Sequence, residues 1–220
     1  MAAAGSGDEP FVDSGGRSGL GMSVARLEAF SDGVLAIVIT LLILDIKVPV
    51  DAHGDLGAAL ARQWPQYAAY LMSFLIVGII WLNHHATFNL LARTDHRLQV
   101  LNLLLLLPVS VLPWPTAVLA EYTRDGTAGD KRVAVVLYGL TSSLMAVGFN
   151  LAWRYLLRHR ELHKEGIDPE LLAVRNRRYN VGLVLYPIAT VIGLLSVPLF
   201  LVLMLGLALM FLLPTPDVGT

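Results

Sequence analysis

The chain has no cysteine among its 220 residues. That excludes a disulfide framework, a thiolate metal site and a cysteine nucleophile. Charge is scarce too: 15% of residues are Asp, Glu, Lys or Arg, against about 25% in an ordinary soluble domain. The 16 basic and 17 acidic residues nearly cancel. A net charge of −1 gives no electrostatic reason to expect nucleic acid as a partner. No TVGYG-like filter is present, so a conventional re-entrant potassium pore is excluded. No arginine recurs at every third position over several turns, so there is no voltage sensor. G-x-x-x-x-G-K-[ST], G-x-S-x-G and H-E-x-x-H are all missing. Neither a nucleotide-powered pump nor an enzyme is expected.

What the chain does have is apolar length. Residues 63–92, 98–120, 133–153 and 179–216 contain no Asp, Glu, Lys or Arg. A run of about 18 such residues reads as a membrane span. Span one is expected over 24–46, two over 66–91, three over 98–120 and four over 133–153. Trp64-Pro65 supplies an interfacial aromatic and a helix start for the second. Pro108, Pro113 and Pro115 predict a kink or break near the far end of the third. The 38 residues of 179–216 would reach about 57 Å as one helix, against a hydrocarbon core of about 30 Å. A turn at Ser196-Val197-Pro198 divides them into spans over 178–195 and 198–213. The expected fold class is therefore all-α, a polytopic membrane protein of six transmembrane helices. Residues 1–22 are read as a disordered tail without a signal peptide's apolar run, 23–213 as the membrane domain and 214–220 as a short C-terminal tail.

Loop charge gives the orientation. With the N-terminus cytoplasmic, the inner portions hold Arg17, Arg26, Arg93, Arg97, Arg154, Arg158, Arg160, Lys164, Arg175, Arg177 and Arg178. The outer loops hold only Lys47, Arg62, Arg124, Lys131 and Arg132. The positive-inside rule then places both termini in the cytoplasm. The basic stretch 154–178 is expected to be a short cytoplasmic helix or a helical extension.

Polar groups inside a membrane normally pair or face water. The candidates among them are Arg26, Ser31, Asp32 and Thr40, then Trp81, Asn83, His84 and His85, then Asn102 and Asn150. Arg26, Phe30, Gly33, Ile37, Thr40 and Leu44 are spaced 4, 3, 4, 3, 4, which puts them on one helix face. Ile37, Thr40, Leu41 and Leu44 make an apolar stripe with one hydroxyl. Such a stripe is either a pore lining with apolar constrictions or an ordinary packing face. Asp32 lies off it, directed at a neighbouring helix, where Trp81, His84 and His85 are its natural partners, with Ser31 beside it in the same network. That cluster is either a buried structural network or a proton or ion relay. A metal site is not expected, because adjacent histidines on a helix point about 100° apart.

The segment RLEAFSDGVLAIVIT at 26–40 resembles the signature of the transmembrane protein 175 family of potassium channels. That signature is Arg or Lys, three variable residues, then Phe-Ser-Asp, here Arg26, Phe30, Ser31 and Asp32. WLNHH at 81–85, LNLLLLLP at 101–108 and the two-helix ending at 198–214 are similar to the same family. A single six-helix repeat looks like the bacterial form. The resemblance implies a weakly selective, leak-type potassium channel with its pore at the centre of a homotetramer. The first helix lines that pore, with a constriction at Ile37, a hydroxyl ring at Thr40 and the lining continued by Leu41 and Leu44. Arg26, Phe30, Ser31 and Asp32 hold that helix against the next two, with Trp81, His84, His85 and Asn102. The implied partners are other copies of the chain, membrane lipid and monovalent cations. Potassium is the permeant ion, no cofactor is expected, and the location is the cell membrane. Val38, about 100° from Ile37, is expected to tolerate alanine with little change in conductance. The alternative reading is a proton-coupled transporter with Asp32 and a histidine as relay.

Overall fold

The computed structural model describes residues 22–50 and 54–213. The two tails expected at 1–22 and 214–220 lie outside the described residues, apart from Met22. Among the described residues every regular element is helical, save one isolated β-bridge.

Helix α1 (Val24–Leu41) starts at Ser23, whose hydroxyl accepts from Arg26 N, and runs on as a 3₁₀ turn, Leu42–Asp45. A short helix α2 (Leu56–Arg62), not foreseen from the sequence, precedes α3 (Trp64–Phe88). Helix α4 (His96–Val111) passes through Pro108, and the break falls one turn later at Leu112, before α5 (Pro113–Asp125). The cause is chemical: Pro113 and Pro115 have no N–H to donate to the preceding turn. Leu112 keeps right-handed helical angles, so α4 and α5 form one apolar rod, His96–Asp125.

Helix α6 (Ala128–Arg158) outruns the span expected at 133–153 at both ends. Thr127 and Asp130 form a capping box at its start, so the helix begins before the apolar stretch does. Helix α7 (Pro169–Gly193) likewise starts well ahead of residue 178, capped by Asp168 with Pro169 in its first turn. The basic stretch 154–178 is thus the end of α6, a 3₁₀ turn at Arg160–Leu162 and the start of α7. Helix α8 (Val197–Leu212) begins at the expected turn, where Ser196 accepts from Leu199 N. Arg178 closes its far end by donating to the carbonyls of Met210, Phe211 and Leu213, with its guanidinium 5.6 Å from the Phe211 ring centre.

Four stretches are long and apolar enough to cross a membrane: Val24–Asp45, Trp64–Phe88, His96–Asp125 and Ala128–Arg158. Helix α8 is apolar but shorter. Helix α1 packs on α3 and α4, α4 on α6, α6 on α7, and α8 against α3 and α7. The main core runs from Leu35, Val38 and Leu42 of α1 through Ile76 and Val109 to Tyr138, Phe200 and Met204. Inside it, Tyr138, Ser73 and Thr116 form a chain of buried hydroxyls. The Ser73 hydroxyl is 2.8 Å from both others, and Thr116 donates to Leu112 O at the α4–α5 break.

Three connections meet at one end of the bundle. Ala92 N donates to Leu162 O and Lys164 N to Leu90 O, joining the α3–α4 loop to the α6–α7 loop. Thr94 donates to Met22 O, bringing the start of α1 to the same place. There Asp95 caps α4 and accepts from Tyr155 of α6. Burial pushes the Asp95 carboxyl up, but the bonds from Tyr155 and Leu98, with His159 and Arg97 nearby, outweigh it and hold it below the usual carboxylate range. The stabilisation it supplies is therefore present at neutral pH and lost as acid protonates it.

Helices α4 and α6 approach each other closely at Gly148. A Cβ on Gly148 would stand 2.9 Å from Leu105 Cα and 3.3 Å from Leu104 O. Small residues let helix backbones meet at such range. Gly148→Ala is expected to push α4 off α6 and destabilise the fold by about 1–3 kcal/mol, more than the roughly 1 kcal/mol gained in helix propensity. A thermal melt of the purified protein checks it.

Candidate functional site

Helix α1 has two faces of opposite character. Leu27, Ser31, Leu35 and Val38 are buried against α3 and α4. Arg26, Phe30, Gly33, Ile37, Thr40 and Leu44 all lie on the outward side, as does Leu41. Ile37 is 60% exposed and Leu44 69%. Only 28% of the apolar window of α1 is buried, against 39–50% for the other three spans. Beyond Arg26 at its start, the outward stripe is interrupted by one polar group, the Thr40 hydroxyl, which donates back to Ile37 O at 2.8 Å. Its oxygen thereby keeps its lone pairs for another donor or a cation.

The polar residues of the buried side form two bonded groups. In the first, Asn102 of α4 donates to Ser31 Oγ at 2.8 Å, and its Oδ1 lies 2.9 Å from His84 Nε2 of α3. Ser31 passes its own proton to Leu27 O. All three side chains are buried, and His84 stacks on Phe88 with ring centres 4.1 Å apart. In the second, nearer the surface, Trp81 Nε1 donates to Asp32 Oδ1 at 3.0 Å. His85 Nδ1 lies 2.8 Å from Glu28 Oε1, and Asn89 donates to His85 Nε2 at 3.0 Å. Trp81 stacks on His85.

Neither histidine bonds to Asp32. The two rings diverge because they are consecutive on one helix, so His84 turns inward to Asn102 and His85 outward to Glu28. An Asp32–histidine relay is therefore not formed directly. The Ser31–Asn102–His84 chain is interrupted by an amide, which does not exchange protons as a hydroxyl or imidazole does. Arg26 and Phe30 sit apart from both groups. Among the described residues the Arg26 side chain makes no hydrogen bond or ion pair, and half-exposed Phe30 lines an apolar groove with Val34, Val100, Leu103 and Leu107. Glu28 and Asn89 were not singled out in the sequence. Glu28 stands one turn before Asp32, and that spacing was the available signal. Among the described residues no three His, Asp or Glu side chains gather as a metal site would need.

The family profile described as "Endosomal/lysosomal potassium channel TMEM175" matches residues 26–113. A protein of Streptomyces collinus named as a potassium channel is 48% identical over 177 residues, 80% of this chain and 85% of the relative. The chain belongs to the TMEM175 family. Its fold agrees with the crystal structure of a lysosomal potassium-selective channel TMEM175 homolog from Chamaesiphon minutus. The TM-score is 0.73 at 37% identity, covering 86% of this chain and 96% of that one. The human protein named "Endosomal/lysosomal proton channel TMEM175" is 38% identical over 149 residues, which are 63% of this chain and 29% of the human one. As a TMEM175 member the chain belongs among potassium channels rather than enzymes, and the matched profile covers both α1 faces and the two bonded groups behind them.

Proposed function

We propose that four copies of this chain form a leak-type potassium channel whose pore is lined by α1. The observation that carries the reading is the outward stripe of α1, apolar except for Thr40, on the least covered of the apolar spans. One such helix cannot enclose a pore, whereas four around a closed axis can. Ile37, Leu41 and Leu44 supply constrictions that conduct when wide enough to stay wet. Thr40 oxygens offer a ring of acceptors. No carbonyl cage replaces the hydration shell, so selectivity is weak and favours potassium, which releases water more readily than sodium. Phe30 and the groove beside it face the neighbouring subunit. The Ser31–Asn102–His84 and Asp32–Trp81 contacts set the rotation of α1, and Arg26 helps seat its inner end. Relatives named as potassium channels support the ion assignment.

In this reading α1, α3, the α4–α5 rod, α6, α7 and α8 all cross the cell membrane. The end where the α3–α4 and α6–α7 loops meet the start of α1 carries most of the basic residues and faces the cytoplasm. A reporter fused after Thr220 is expected to be active only inside the cell, and activity confined to the outside overturns the topology. The functional test is ion flux from liposomes. Potassium gradients drive current that reverses near the potassium potential, with sodium carried less well and no proton gradient required. A second reading, proton permeation, draws on the partly exposed Glu28–His85 pair and on the human relative's name. Flux driven by a pH gradient without potassium separates the two.

A further inference from the structure

The amide of Asn102 fixes the proton on His84. Its Nδ2 is committed to Ser31, so its Oδ1 faces His84 and accepts. His84 therefore carries its proton on Nε2, and Nδ1 is left as a bare lone pair. That Nδ1 is buried and has no hydrogen-bond partner among the described residues. On α6, the indole N–H of Trp153 is in the same position: a buried donor with no acceptor. His84 is 2% exposed and Trp153 1%. One orphan is an acceptor and the other a donor, and both residues line the same small cavity, together with Thr87 and Phe149. The Thr87 hydroxyl donates to Asn83 O at 2.8 Å.

The cavity holds about 20 Å³. A buried water needs roughly 10–15 Å³ of such space and two to four polar partners. The space thus admits one water, and the two orphaned groups among its lining residues are one donor and one acceptor. We propose that a single structural water is bound there, accepting from Trp153 Nε1–H and donating to His84 Nδ1. It completes a polar chain across four helices: Ser31 of α1, Asn102 of α4, His84 of α3, the water, and Trp153 of α6. Each of these buried groups otherwise loses its hydration without return. His84 and Trp153 are positioning residues here, tying the buried face of α1 to helix α6. The assignment concerns the bundle of one chain and holds whichever ion is conducted.

Solid-state NMR of the full chain in bilayers, with nitrogen-labelled histidine, tests it. The His84 signals are assigned by their loss in His84→Gln. In the unmodified protein, Nε2 is expected to be protonated, and Nδ1 to be an unprotonated, hydrogen-bonded nitrogen with a cross-peak to a water proton. In Trp153→Phe the water loses its donor, so the cross-peak disappears and Nδ1 moves to the position of an unbonded imine nitrogen. Nε2 stays bonded to Asn102. A protonated Nδ1 in the unmodified protein overturns the proposal, as does an Nδ1 without a water contact. So does an Nδ1 signal that Trp153→Phe leaves unchanged. The measurement on the unmodified chain decides the matter if the variant does not fold.

Discussion

Ile37→Asn is expected to raise potassium current by about tenfold or more, because removing roughly 1.4 kcal/mol from a barrier is worth that factor. The side chain sits at the middle of the outward stripe of α1 and is 60% exposed in the single chain. Four isoleucines around one axis form an apolar plug whose barrier is the exclusion of water, not a charge. Asparagine keeps most of the bulk but holds water at the ring. Ile37→Ala widens the ring instead. Current is expected to rise here as well, while the potassium-over-sodium ratio falls, because sodium then passes with its shell. Val38 is the control, with a different role from the one its sequence position suggests. It is 3% exposed and packed into the main core. Val38→Ala is expected to lower stability by about 1–3 kcal/mol and to leave the current through each assembled channel unchanged. Recordings of the three variants, with a melt of each, separate the effects. If Val38→Ala raises current and Ile37→Ala does not, the pore face is assigned to the wrong side of α1.

Asn102→Leu is expected to be the most damaging single change to the fold. Among the described residues Asn102 is the only hydrogen-bonded link between Ser31 and His84, and all three are buried. Leucine is close to it in volume, so little space is opened. The His84 Nε2–H is left with no acceptor, and Ser31 Oγ loses its incoming donor. A buried polar group without a partner costs about 1–3 kcal/mol, so the pair loses up to roughly 6 kcal/mol, a large part of the margin of a marginally stable fold. Asp32→Ala should cost the single chain less, because its partner Trp81 is 44% exposed and its indole N–H can turn to another acceptor. Its effect is expected in assembly: loss of stable tetramer before any change in ion preference. Size-exclusion chromatography with thermal unfolding in detergent distinguishes the two variants. Normal tetramers of Asp32→Ala with altered selectivity would place Asp32 on the ion path.

The helical segments were legible because each is an apolar run bounded by charge, and the breaks at Pro113 and Ser196 follow from missing N–H donors and a capping hydroxyl. The ends of α6 and α7 were not. Helices continue past the membrane boundary wherever a cap such as Thr127 or Asp168 permits, and hydropathy does not register that. The short α2 was missed for a related reason: seven residues carry too little periodicity to stand out.

The sequence by itself determined that α1 carries a polar cluster on one side and an apolar stripe with a single threonine on another, since helical spacing alone assigns residues to faces. It also determined that Asp32 lies off the stripe. Only the tertiary structure decided which face is covered. It also decided that Asp32 pairs with Trp81, that His84 turns to Asn102, and that His85 turns to Glu28. Those pairings depend on how α3 and α4 are rotated against α1, within about the 100° that separates consecutive side chains. That rotation is set by packing among residues such as Leu35, Val38, Ile76 and Val109. Their side chains are all apolar and nearly interchangeable as letters, and they differ only in the shape they present to one another.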